Sequence, residues 1–368
     1  MLRPYKLLTP GPLTTTDAVK REMLFDHCTW DDDYKRITQR IRKRLLALAH
    51  APETTHTAVL LQGSGTFGVE AVLTSVVGPD DKLLILANGA YGERMGDIAR
   101  HAALPHTLLS FPLDRSPDPA RVAQALRDDP ALTTVALVHS ETTTGILNDL
   151  PTLARLAKDA GKTLVVDAMS SFAGVDIDVP ALGIDFLVSS ANKCVQGVPG
   201  FSFIICDRRR LEASKGKARS LSLDLYDQWK GMDRDGKWRF TSPTHAVLAF
   251  AKALDELDDE GGIPARAARY RANNRLLIRK LADLGFRPYL DPAVQGPIIT
   301  TFFYPEGHTF AFREMYDYVK ARGYAIYPGK LLDADTFRLG NIGEIYEADI
   351  LNVASILSDF LTDHPSEN

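Results

Sequence analysis

Seven short apolar runs, each bounded by turn residues, recur through the first two thirds of the chain: AVLLQ (58–62), KLLILA (82–87), TLLSF (107–111), TVALVHS (134–140), TLVVDA (163–168), FLVSS (186–190) and FSFIIC (201–206). Several are nearly continuous in hydrophobicity rather than alternating, which is the pattern of strands covered on both faces. Stretches with helical spacing separate them, at 69–77, 92–102, 119–126 and 150–160. The alternation predicts an α/β fold: a mostly parallel seven-stranded sheet flanked by helices. In such sheets ligands bind at the carboxyl ends of the strands, so the residues directly after each run are the candidates for chemistry.

Further along, a helix over 244–257 runs into Asp-Glu-Gly-Gly-Ile-Pro, and 261–264 reads as a junction. A long, Arg-rich helix over 265–284 follows, then short strands (ITTFFY, YAIYP, TFRLG) and two helices, the make-up of a small α+β domain. The expected division is an N-terminal arm over 1–15, a large domain over 16–260 and a small C-terminal domain over 261–368. The acidic run at 31–33 reads as a solvated face.

Charge and cysteine content narrow the class. With 43 Lys+Arg against 47 Asp+Glu the net charge is −4, so no global field attracts nucleic acid. No apolar run reaches spanning length, and prolines interrupt the first dozen residues where a signal peptide needs its apolar stretch. Three cysteines without a CxxC pair argue against a disulfide framework or a zinc site. A cytoplasmic protein without nucleic-acid or membrane partners is expected.

Gly63-Ser-Gly65-Thr-Phe-Gly68 is a literal GxGxxG between a strand and a helix. A dinucleotide site needs an acid at the end of the next strand for the ribose, yet KLLILA ends in Asn88-Gly89. The loop also reads as a tight glycine turn, or as a phosphate cradle built from backbone N–H groups at a helix N-terminus. Asp167 closes one buried run and Lys193 stands just past the next, 26 residues on, the length of one strand–helix–strand crossover. Alone, Asp167 reads as a helix N-cap and Lys193 as a surface lysine. Together with a phosphate cradle they supply what pyridoxal 5'-phosphate requires: a carboxylate for a protonated ring nitrogen and an amine for the aldehyde.

The order of LLTPGPL (7–13), CTWDDDY (28–34), LLQGSGTFGVEAVL (60–73), NGAYGERM (88–95), VVDAMSSF (165–172), SSANKC (189–194), YPGK (327–330) and FRLGNIGE (337–344) resembles the class V, fold-type I aminotransferases over essentially the whole chain. The resemblance implies that Lys193 carries the cofactor and moves the proton, and that Asp167 keeps the pyridine nitrogen protonated. It further implies Ser64, Gly65, Thr66 and Asn192 at the phosphate, Tyr91 stacked on the ring and Met169 on the opposite face. Thr143 is expected at the phenolic oxygen and Arg338 at the substrate anion, with Arg94 and Lys330 as further cationic candidates. Thr241, with Trp238 nearby, is expected to reach the phosphate of a neighbouring subunit, which implies a homodimer.

CTWDDDY, YPGK and FRLGNIGE resemble the branch of this family that handles aminophosphonates. They imply 2-aminoethylphosphonate as donor and pyruvate as acceptor, giving phosphonoacetaldehyde and alanine. Alternatives are an alanine–glyoxylate or serine–pyruvate transaminase, a nicotinamide-dependent dehydrogenase using the glycine loop, and a cofactor-sensing regulator. A cysteine desulfurase needs a thiol late in the chain, and none follows Cys206. Cys194 therefore reads as a packed thiol.

Overall fold

A computed structural model describes residues 4–331 and 335–365. The seven apolar runs form one seven-stranded sheet: β1 (His56–Gln62), β2 (Lys82–Ala87), β3 (His106–Ser110), β4 (Leu132–Val138), β5 (Thr163–Asp167), β6 (Phe186–Ser190) and β7 (Phe201–Asp207). Their order is β1-β7-β6-β5-β4-β2-β3. β7 pairs antiparallel with both β1 and β6, while the β6-β5-β4-β2-β3 pairings are all parallel. Six strands therefore point the same way, and their carboxyl ends share one edge.

Continuous hydrophobicity follows from two covered faces. Leu84, Leu86, Leu137, Leu164 and Val166 belong to one buried cluster, with residues of the Asp32–Leu48, Leu150–Asp159 and Thr244–Glu260 helices. Their neighbours Leu83, Ile85, Ala136 and Val165 belong to the other, with the Gly65–Val76, Ala90–His101 and Leu225–Asp235 helices. Side chains that alternate between two helical layers must all be apolar. Each fully buried aliphatic contributes about 1.5–3 kcal/mol relative to exposure.

Beyond the Thr244–Glu260 helix, Gly261 leads directly into the Gly262–Ala282 helix. That helix and Glu347–Asp363 pack on a four-stranded sheet whose order is Arg287–Pro288, Ile299–Phe303, Thr336–Gly340, Tyr327–Pro328. The acidic run at 31–33 starts the Asp32–Leu48 helix, with Asp31 at the N-cap and Asp32 and Asp33 in the first turn. Carboxylates there complement the positive end of the helix dipole.

The N-terminal segment is strapped to the C-terminal strands. Lys6–Leu7 pairs parallel with Tyr324–Ala325. The Gly340 N–H donates to the Leu8 carbonyl at 2.9 Å, and the Thr9 carbonyl lies so close to Gly340 that a methyl group there would collide with it.

Candidate active site

The carboxyl ends of β1, β4, β5 and β6 surround a cleft of about 180 Å³. After β1 the chain turns into the Gly65–Val76 helix with Ser64 at its N-cap, in extended conformation and without a side-chain capping bond. That leaves the hydroxyls of Ser64 and Thr66 and the helix N-terminus for an anion. Arg94 joins them, its Nη1 donating to Thr66 Oγ1 at 3.3 Å. A Cβ at Gly65 would collide with the Met169 thioether, which reaches across from the end of β5 and would have to move aside.

Asp167 is 6 % exposed and its Oδ1 accepts the Met169 N–H at 2.8 Å. Burial raises its carboxyl to about 6; the Met169 N–H opposes this, Glu141 adds to it, and Lys193 and Arg94 oppose it. Lys193 follows β6 and donates from Nζ to the carbonyls of Pro10 at 2.8 Å and Gly11 at 3.4 Å. Burial lowers its pKa, against the pull of Tyr91, Cys194 and Asp167. An amine held by neutral carbonyls in a dry site is readily deprotonated, which a nucleophile or proton carrier needs.

Tyr91 lies in the first turn of the Ala90–His101 helix, whose N-cap, Gly89, has no side chain to cap it. Glu141 takes over that role from the Ser140–Glu141 strand. Its Oε2 accepts the N–H groups of Tyr91 (3.1 Å) and Gly92 (3.3 Å), and its Oε1 accepts the Thr143 N–H (3.0 Å) and hydroxyl (2.7 Å). Four donors explain how this carboxylate is buried with no exposure. Burial alone would raise the Tyr91 phenol, but the Lys330 ammonium, the Thr142 hydroxyl and Lys193 together hold it below its ordinary value.

The structure brings Ser64, Gly65, Thr66, Tyr91, Asp167, Met169, Asn192 and Lys193 together on one cleft, with Arg94. Two residues expected at this cleft, Thr143 and Arg338, do not line it, and neither does Thr241, which was expected at a neighbouring subunit's phosphate. The Thr143 hydroxyl is committed to Glu141 and to the Ala90 N–H at 2.9 Å, and Thr142, one residue earlier, lines the cleft instead. Arg338 is 3 % exposed behind that wall, donating from Nε to the Pro328 carbonyl (2.9 Å) and from Nη1 to the Thr142 carbonyl (2.8 Å). Burial lowers its pKa, with Tyr91, Tyr327 and Glu141 opposing. Thr241 is exposed, and Trp238 is a core residue whose indole N–H donates to Thr38 Oγ1 at 3.2 Å.

Sequence reasoning missed Glu141, Thr142, Ser140 and the Pro10 and Gly11 carbonyls. The signal for Glu141 was the uncapped glycine start of the helix it serves. Ser140 Oγ is buried in the cleft wall with no hydrogen-bond partner among the described residues. Cys194 Sγ donates to the Ser170 carbonyl at 3.2 Å and burial pushes its thiol up to about 12, so it is packed and inert.

The family model described as aminotransferase class-V matches residues 27–330. A protein of Lysinibacillus sphaericus named 2-aminoethylphosphonate–pyruvate transaminase is 55 % identical over 364 residues, covering 99 % of each chain. Relatives with the same name from Klebsiella pneumoniae (55 % identical, 95 % of each chain) and Bacteroides fragilis (52 % identical, 97 % of this chain and 99 % of the relative) match similarly. Among solved structures, a subgroup IV aspartate aminotransferase of Thermus thermophilus superposes with a TM-score of 0.87 at 27 % identity, covering 98 % of this chain and 100 % of that one. An alanine–glyoxylate aminotransferase of Nostoc shares the fold at a TM-score of 0.89 and 24 % identity, covering 98 % and 96 %.

Proposed function

The chain belongs to the class-V aminotransferase family, and from that premise we propose that it transfers the amino group of 2-aminoethylphosphonate to pyruvate, giving phosphonoacetaldehyde and L-alanine. The family implies pyridoxal phosphate, and the cleft fits it. Its volume of about 180 Å³ suits one substituted ring, since a cavity of ~150 Å³ takes up benzene. The hydroxyl-bearing helix N-terminus with Arg94 suits the phosphate, and the unpartnered Ser140 hydroxyl awaits a polar group. When bound, the cofactor supplies an aldehyde that captures amines and a ring that withdraws electrons.

The protein's residues do the rest. Lys193, whose amine burial makes easier to deprotonate, would take a proton from the amine-bearing carbon and deliver it to the carbon that was the cofactor's aldehyde. No carboxylate sits on that carbon in the donor, so proton removal rather than decarboxylation is the route. Asp167 would keep the ring nitrogen protonated through a charge-assisted hydrogen bond. Ser64, Gly65, Thr66 and Asn192 would hold the phosphate and Tyr91 and Met169 the ring, and Arg338 would offer the substrate anion the donors not committed to the Pro328 and Thr142 carbonyls. The observation that carries this reading is the meeting of Lys193, Asp167 and the Ser64–Thr66 turn on one cleft. The choice of donor rests on relatives 52–55 % identical over nearly the whole chain and named for that reaction.

The same reading includes a cytoplasmic homodimer, divided into an arm over 1–15, a large domain over 16–260 and a small domain over 261–368, in which Thr241 serves the neighbouring subunit's phosphate. Leu24, Phe25, Trp30, Leu221 and Phe240 are exposed. His245 pairs with Asp26, Lys237 lies over Trp30, and Arg239 donates to the Leu221 carbonyl, so these apolar residues lie in adjoining segments around Thr241. Exposed apolar surface of this kind favours association. No helix among the described residues is long and apolar enough to cross a membrane.

An absorbance spectrum tests the function. Protein loaded with pyridoxal phosphate is expected to be yellow, to bleach with 2-aminoethylphosphonate alone and to regain its colour with pyruvate. Bleaching by alanine or serine but not by the phosphonate would overturn the choice of donor.

A further inference from the structure

The cations near the cleft differ in what already occupies them. Arg338 is bound to two backbone carbonyls. Arg94 is turned toward Thr66 and the helix N-terminus, at the phosphate end of the cleft. Lys330 is exposed, and its Nζ lies 3.4 Å from Tyr91 Oη and 4.6 Å from the centre of the Tyr91 ring. Among the described residues no carboxylate forms an ion pair with Lys330.

Lys330 is also fixed relative to Arg338. The Tyr327–Pro328 strand pairs with Thr336–Gly340 so that Tyr327 stands opposite Arg338, and the Pro328 carbonyl accepts the Arg338 Nε–H. Lys330 follows two residues later. One hairpin thus delivers two cations to the Tyr91 side of the cleft, a guanidinium inside and an ammonium outside. The ammonium's influence reaches the cleft, since it helps to hold down the Tyr91 phenol.

The two substrates pose different recognition problems. A carboxylate is planar, with one charge and two oxygens, and one guanidinium fork satisfies it. A phosphonate is tetrahedral, with a third oxygen outside any plane the fork covers and up to two charges. An ammonium, a compact charge with three rotatable donors, suits that third oxygen. We propose that Lys330 is the residue that selects phosphonate over carboxylate, binding the third phosphonate oxygen. The inference rests on the proposed aminophosphonate donor.

The test uses the cofactor-loaded enzyme and two unreactive probes that each carry one ethyl group on the anion, ethylphosphonate and propanoate, as competitive ligands for wild type, Lys330→Met and Lys330→Arg. Losing one charge-assisted contact corresponds to about ten- to a hundredfold in affinity. Lys330→Met is expected to weaken ethylphosphonate by at least tenfold and to raise KM for 2-aminoethylphosphonate alike, while propanoate and the KM for pyruvate stay within about threefold. Lys330→Arg is expected to restore most of the loss. Equal weakening of both probes, or no weakening of ethylphosphonate, overturns the assignment. Failure of the donor reading shows separately, as a wild-type spectrum that ignores 2-aminoethylphosphonate.

Discussion

Asp167→Asn is expected to make the cofactor-free protein more stable while removing its capacity to work. The carboxyl is buried with a pKa raised from its ordinary 3.8 to about 6. The folded state therefore holds the proton more tightly than the unfolded one. Its favourable contribution is fully present below about 3.8 and is lost as pH rises through about 6. At 1.36 kcal/mol per pH unit the total cost of ionised Asp167 is about 3 kcal/mol. Asparagine retains an oxygen for the Met169 N–H and removes the charge. The assay is urea unfolding of cofactor-free wild type and variant at pH 8 and pH 4.5. The variant should gain about 3 kcal/mol at pH 8 and about 1 kcal/mol at pH 4.5, with loss of cofactor affinity and turnover. A gain independent of pH, or a variant less stable at pH 8, would refute the claim that an unpaired carboxylate is being held in a dry site.

Lys193→Ala should keep the far-ultraviolet circular dichroism of wild type and lose turnover altogether; measurable steady-state transamination would remove the lysine from its role. Thr143→Val should destabilise the fold by about 1–3 kcal/mol, since it removes one of the four donors to Glu141 and the acceptor of the Ala90 N–H. Thr142→Val should leave urea unfolding nearly unchanged and lower kcat/KM about tenfold. Gly65→Ala should weaken cofactor binding through its collision with Met169, and adding Met169→Ala should recover part of it in a titration. Iodoacetamide at pH 8 should label Cys28, which is exposed, and leave Cys194 and Cys206 unmodified until urea is added.

The large sheet was readable because strands covered on both faces leave an unbroken apolar record, and the position of the cleft because Asp167 and Lys193 sit at strand ends. Which hydroxyl of His-Ser-Glu-Thr-Thr-Thr-Gly lines the cleft is not legible in the sequence, for a physical reason. Three consecutive threonines carry no polarity difference, so only the hairpin geometry of Ser140–Glu141 against Ile146–Leu147 decides which hydroxyl meets the cleft and which meets Glu141. Glu141 was hard to read because two of its partners are backbone N–H groups some 50 residues earlier, and its one trace is the glycine that starts their helix. The carbonyls that hold Lys193 belong to Pro10 and Gly11, and carbonyls leave no trace in a sequence. The helix starting at Asp32 was readable but passed over, because three aspartates at a helix N-terminus look the same as three on a solvated face.

The strap formed by the first residues also sets an order of events during synthesis. Lys6 pairs with Tyr324, so at ~5–20 residues per second that segment waits roughly 15 s to a minute on the ribosome for its partner strand. All seven strands of the large sheet lie before residue 208 and can assemble meanwhile. Lys193 emerges long before the strap is anchored, and until then its amine lacks the two carbonyls that hold it. A nascent chain thus carries a folded sheet and an unguided lysine, and the reactive amine is brought under control only when the last strands arrive.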